Sequence, residues 1–175
     1  MISLHACERY IGLGAKGLKI HPRWSGISLD DPLIDLVFNV AKERDIPVFL
    51  CTVTTGIIHS NYLPTIIGEL VEKYDNVKIV LLHGGYLDLL ATSEVIRQYE
   101  NVILDLSATL CRFYDSSIGS DIKYLFRTFD KRICLGTDFP EYTYENVYAA
   151  LRFLNIEKGL DGPLGTNLKI FLNAK

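Results

Sequence analysis

Five short apolar runs recur at nearly even spacing, and this repeat limits the possible folds more than any other feature of the chain. They are Gly17 to His21, Pro47 to Cys51, Val77 to His83, Val102 to Ser107 and Arg132 to Asp138, so their ends fall at residues 21, 51, 83, 107 and 138. Each is rich in Val, Ile and Leu and shorter than an ordinary helix, the pattern of a strand buried on both faces. The intervals between them have helical spacing. The clearest opens with Asp31 as cap and Pro32 as first helical residue, places Leu33, Ile34, Leu36, Val37, Val40 and Ala41 on one face, and closes on Lys42, Glu43, Arg44 and Asp45. Ile66, Ile67, Leu70, Val71 and Tyr74 repeat the spacing, as do Leu87, Leu90, Val95, Ile96 and Tyr99. Further helices are predicted over 121–129, 143–154 and 167–175, and one at the start over 3–13, stopped by Gly14.

Strands alternating with helices at this period imply parallel strands joined by right-handed crossovers. Such an α/β chain forms either an open doubly wound sheet or part of a closed (β/α)8 barrel, and the period does not choose between them. With 175 residues, 49% of them hydrophobic, one domain over 1–175 is expected. Lys and Arg number 18 against 21 Asp and Glu, a formal charge of -3, which offers no basic field for nucleic acid or an anionic membrane surface. No apolar run approaches the roughly 20 residues of a membrane span. The first residues lack the pattern of a secretory signal, and Cys7, Cys51, Cys111 and Cys134 form no CxxC pair. Reduced thiols in the cytoplasm and a small-molecule partner, uncharged or cationic, are the expectation.

Every run ends in a polar residue: His21, Cys51, His83, Ser107 and Asp138. In parallel β/α folds the carboxyl ends of the strands form the binding face. Any one such residue is better explained as a partner for loop backbone. Imidazole, thiol and carboxylate arriving together from several strands are groups suited to metal binding or acid–base work.

The wording of the motifs adds a resemblance. Leu82-His83-Gly84-Gly85, Leu135-Gly136-Thr137-Asp138-Phe139-Pro140, Asn101 to Ser107 and Gly14-Ala-Lys-Gly-Leu-Lys-Ile-His-Pro22 resemble the amidohydrolase-2 branch of the metal-dependent hydrolases, from about Gly14 to Ala174. The resemblance implies a partial (β/α)8 barrel whose five units correspond to the fourth to eighth strands. A usual member begins with a strand bearing His-x-His, absent here, and has histidine where Pro47-Val-Phe-Leu-Cys51 has cysteine. Three further units would bring the chain near the ~250 residues of a whole barrel. The chain is therefore expected to be truncated on its N-terminal side.

By the same resemblance Asp138 contacts a metal and takes the proton of the attacking water, and His83 is a ligand or polarises substrate and water. Cys51 is a third ligand, or, more simply, a small buried hydrophobe where the metal has been lost. His21, His59 and Asp105 are candidate substrate contacts. Lys19 is read as a buried ion pair. The cofactor implied is a divalent cation, zinc first, and the reaction a metal-assisted hydrolysis of a small molecule. Alternatives are a nonoxidative decarboxylase, a cysteine-dependent hydrolase using Cys51, and a noncatalytic remnant. Five strands cut from a barrel would leave two apolar edges, which a second copy of the chain could cover.

Overall fold

The computed structural model describes residues 4–53, 56, 61–129 and 132–173. Helix α1 (Leu4–Gly12) leads into strand β1 (Leu18–Ile20), the short helix α2 (Pro22–Ser25) and α3 (Pro32–Arg44). Then follow β2 (Val48–Cys51), α4 (Leu63–Lys73), β3 (Ile79–Leu82), α5 (Leu89–Ile96) and β4 (Val102–Asp105). The chain ends with α6 (Thr109–Phe113), α7 (Ser117–Thr128), β5 (Ile133–Cys134), α8 (Tyr144–Phe153) and α9 (Asn167–Phe171). All five predicted strands are present.

Local chemistry accounts for the boundaries. The Asp31 carboxylate accepts from the Leu33 backbone N–H at 2.8 Å, Pro32 supplies the pre-set φ of the first turn, and Asp45 ends α3 in the left-handed region at φ 50°. Thr143 and Asn146 make a reciprocal capping box at the start of α8. α7 begins earlier than its apolar spacing suggests because the Ser116 hydroxyl caps it, accepting from Ile118 N–H. The third predicted helix loses its beginning to a tight 3-10 segment over His83–Asp88, in which Gly84, Gly85 and Tyr86 have positive φ. The last strand is shorter than its apolar run because Leu135 N–H leaves the sheet and donates to Pro163 O at 2.8 Å.

The strands form one parallel sheet in the order β1-β2-β3-β4-β5. Each strand is added on the same side as the last, so right-handed crossovers put every connecting helix on one face. A doubly wound sheet reverses direction partway; this one does not, which makes it an arc of a barrel.

Register sorts the side chains. Ile20, Leu50, Leu81, Leu104 and Ile133 lie side by side, and all belong to the large core between sheet and helices. The intervening rows, Lys19-Phe49-Val80-Ile103 and Cys51-Leu82-Asp105-Cys134, face the other way, toward the barrel interior. There α9 lays Leu168, Phe171 and Leu172 against Val80, Ile103 and Cys134.

The expectation of two open edges needs correcting. The C-terminal segment closes the β5 edge, with Asn167 Nδ2 donating to Ile133 O at 2.9 Å beside the Leu135–Pro163 bond. Among the described residues only β2 pairs with β1.

Candidate active site

The carboxyl ends of the strands surround a cavity of about 790 Å³. β1, the residue capping α2 and α2 itself contribute Lys19, His21, Arg23 and Trp24; the end of β2 and the segment after β3 contribute Cys51, His83 and Tyr86. Helix α6, after β4, contributes Arg112, and the loop after β5 contributes Asp138 and Glu141. Cys51, His83 and Asp138 thus open onto one space, as does His21. Asp105 does not line it: its carboxylate lies deeper, only 6% exposed, and takes the Ser107 hydroxyl and backbone N–H. Burial raises the pKa of that carboxyl. His59 lies outside the described residues.

His83 is the most tightly held of these groups. Thr52, just past β2, donates its hydroxyl to Leu82 O at 2.7 Å and accepts from Gly85 N–H at 2.8 Å, while Thr109 donates to His83 O at 2.8 Å. The backbone there is one that few residues adopt, with His83 at φ 68° and Tyr86 at φ 56°. Gly85, at φ 93°, has no space for a side chain, since a Cβ would lie 2.3 Å from Thr92 Oγ1. The next two strands end in the same way, with Ala108 at φ 58° and Asp138 at φ 55°. Left-handed turns after three adjacent strands bend the chain at the cavity, and the hydroxyl bonds hold the first of them.

These contacts also set the imidazole. His83 Nδ1 lies 2.8 Å from Ser107 O, which can only accept, so Nδ1 carries a proton and Nε2 is left for the cavity. Burial opposes charging the ring, but hydrogen bonds to Cys51 and Ser107 and the negative charge of Asp138 outweigh it, raising the pKa to about 9. His21 differs. Its ring stacks on Trp24 with centroids 4.7 Å apart, and burial with the charges of Lys19 and Arg23 lowers its pKa. Its Nδ1 is buried without a hydrogen-bond partner.

Lys19 corrects an expectation. By register it faces the barrel interior, but its side chain is exposed at the cavity and pairs with no carboxylate among the described residues. Sequence reasoning also passed over Thr52, Thr109, Arg23 and Arg112. For Thr52, Thr109 and Arg23 the only available signal was position, one or two places past the end of an apolar run, and polar residues begin loops of every kind; Arg112, five places past its run, had none.

The described residues do not by themselves supply a ligand set for a metal ion. No three His, Cys, Asp or Glu side chains among the described residues are grouped to hold one. A zinc centre needs at least three protein ligands.

Comparison with known proteins closes the identification. No curated protein matches the chain. Its fold matches an uncharacterised TIM-barrel protein of Bordetella bronchiseptica with TM-score 0.78 and 18% identity, over 95% of this chain and 60% of that one. A probable 2-pyrone-4,6-dicarboxylic acid hydrolase of Acinetobacter baumannii, solved with citric acid bound, matches with TM-score 0.65 and 12% identity, over 98% and 69%. An amidohydrolase of Burkholderia multivorans with bound HEPES gives 0.64 and 14%, over 98% and 71%. The chain thus spans well under the full length of these barrels. The sequence model described as Amidohydrolase matches residues 4–171, nearly the whole chain, and the protein belongs to that family.

Proposed function

We propose that the cavity carries out hydrolysis of a small molecule by acid–base chemistry between Asp138 and His83. The observation that carries this reading is their joint placement: a carboxylate from the β5 end and an imidazole from the β3 end line one cavity, and Ser107 orients the imidazole so that Nε2 remains for a substrate. A substrate carbonyl oxygen accepts a hydrogen bond from protonated His83 Nε2, which draws electron density from the carbonyl carbon. Asp138 takes a proton from water as its oxygen bonds to that carbon. Collapse of the adduct breaks the bond to the leaving group, which receives a proton, giving an acid and an alcohol or amine. The family and the hydrolase named among the structural neighbours support this reaction class.

Zinc held by Cys51, His83 and Asp138 is not part of the proposal, because these donors do not form a metal group. Metal analysis after dialysis separates the readings: zinc held one per chain and lost on Asp138→Ala would bring back the metal-assisted route.

Hydrolysis of a panel of small lactones, esters and amides, followed by proton release, tests the mechanism. Asp138→Asn and His83→Gln are each expected to lower kcat/KM by about 10² to 10⁴-fold, the usual contribution of a positioned acid or base. Turnover unaffected by Asp138→Asn would sink the proposal, and turnover abolished by alkylating Cys51 in that background would favour a thiol nucleophile.

A further inference from the structure

The charge of this cavity runs against that of the chain. The whole sequence carries a formal charge of -3, yet the cavity is lined by Lys19, Arg23 and Arg112 against Asp138 and Glu141. Arg112 is 3.7 Å from Glu141, so its charge is partly answered. Neither Lys19 nor Arg23 pairs with a carboxylate among the described residues, and both charges reach the His21 ring. Two cations that line one cavity repel, and a bound anion relieves that repulsion while a concave wall concentrates its field. His21, which lines the same cavity, adds a second observation: its Nδ1 is buried without a hydrogen-bond partner. A buried polar atom left unsatisfied points to a missing partner.

We propose that the substrate is a carboxylic acid whose carboxylate is held by Lys19 and Arg23, with His21 Nδ1 hydrogen-bonding a polar atom next to it. This deepens the hydrolytic reading, since it assigns the non-reacting end of the molecule while His83 and Asp138 face the reacting end. A guanidinium and an ammonium together match a planar carboxylate. A phosphate dianion would bring more negative charge toward Asp138 and Glu141, so the carboxylate fits the cavity better. Trp24, stacked on His21, lines the same cavity with most of its surface open to solvent.

Binding without turnover tests the assignment apart from the chemistry. Trp24 is the sole tryptophan and lines the cavity, so its fluorescence reports occupancy directly. The probes are glutarate and citrate, their amides, and methyl phosphate. At least one carboxylate is expected to bind saturably and at least tenfold more tightly than its amide and than methyl phosphate, in line with the worth of a charge-assisted hydrogen bond. Lys19→Met and Arg23→Gln should each weaken it about tenfold, whereas Lys42→Met on the outer helix layer should not change it. Both substituted side chains at the site are exposed, so the variants are expected to fold, which circular dichroism checks. Asp138→Asn should bind the carboxylate as well or more tightly while losing turnover. Equal affinity for acids and amides, no saturable carboxylate binding, or binding unmoved by both site variants overturns the proposal; phosphate binding most tightly overturns the carboxylate assignment.

Discussion

The two faces of the sheet are built for different purposes. On the helix side, Ile20, Leu50, Leu81, Leu104 and Ile133 form an unbroken apolar row inside a core that also takes in Phe38, Ile67, Leu125 and Leu151. On the interior side the fully apolar part shrinks to Val80, Ile103 and Cys134 under α9, and the remaining positions hold Lys19, Cys51, Asp105 and the approach to His83. Neighbouring residues on one strand therefore have opposite duties. Stability resides mostly on one face, which leaves the other free to carry polar groups that a packed core would exclude.

Adjacent leucines on β3 sharpen that contrast most. Leu81 is fully buried on the helix side, so Leu81→Ala should cost about 3 to 4 kcal/mol in urea unfolding, whereas half-buried Leu82 on the interior side should cost about 1 to 2 kcal/mol when cut to Ala. Equal losses would mean that the interior face is as closely packed as the helix face. Gly85→Ala tests the turn joining the two. Positive φ and the contact with Thr92 predict a loss of about 2 kcal/mol, together with weaker turnover because the His83 backbone shifts. Unchanged stability and activity would show that this turn is not under constraint.

The smallest effect belongs to the outer surface. Asp35 has its pKa lowered by the Lys73 ammonium, with a further hydrogen bond from Tyr74. A lowered folded-state pKa means that the stability it brings is present above the unfolded value near 3.8 and is lost as pH falls through the lower folded value. Lys73→Met should therefore move the acid unfolding midpoint slightly upward and leave stability at neutral pH within about 0.5 kcal/mol, since the pair is exposed. A large change at neutral pH would show that the pair is worth more than its exposure implies.

Most of the fold could be read from the sequence because burial leaves a local period. Evenly spaced apolar runs and helix spacing located β1 to β5 and α3, α4 and α8, and the polar tips marked His21, Cys51, His83 and Asp138, which do line one cavity. What escaped had no period: α2 and α6 are too short to repeat a face, and the His83–Asp88 turn holds residues at φ values that few sequences announce. Depth escaped as well. Parity puts Asp105 on the interior face, but only the position of Ser107 shows that the carboxylate lies beneath the cavity. Lys19 was placed on the correct face and given the wrong surroundings, because an ion pair depends on residues far away in the chain.

The sequence by itself determined which segments become strands and helices, which face of each is apolar, and that the strands end in groups capable of chemistry. Tertiary structure alone decided that the sheet winds in one direction, that Ser107, Thr52 and Thr109 clamp His83, and that Lys19 and Arg23 share a cavity with Asp138. Periodicity arises from neighbours a few residues apart, whereas strand order, ring orientation and the company of charges depend on contacts across tens of residues, which no local pattern records.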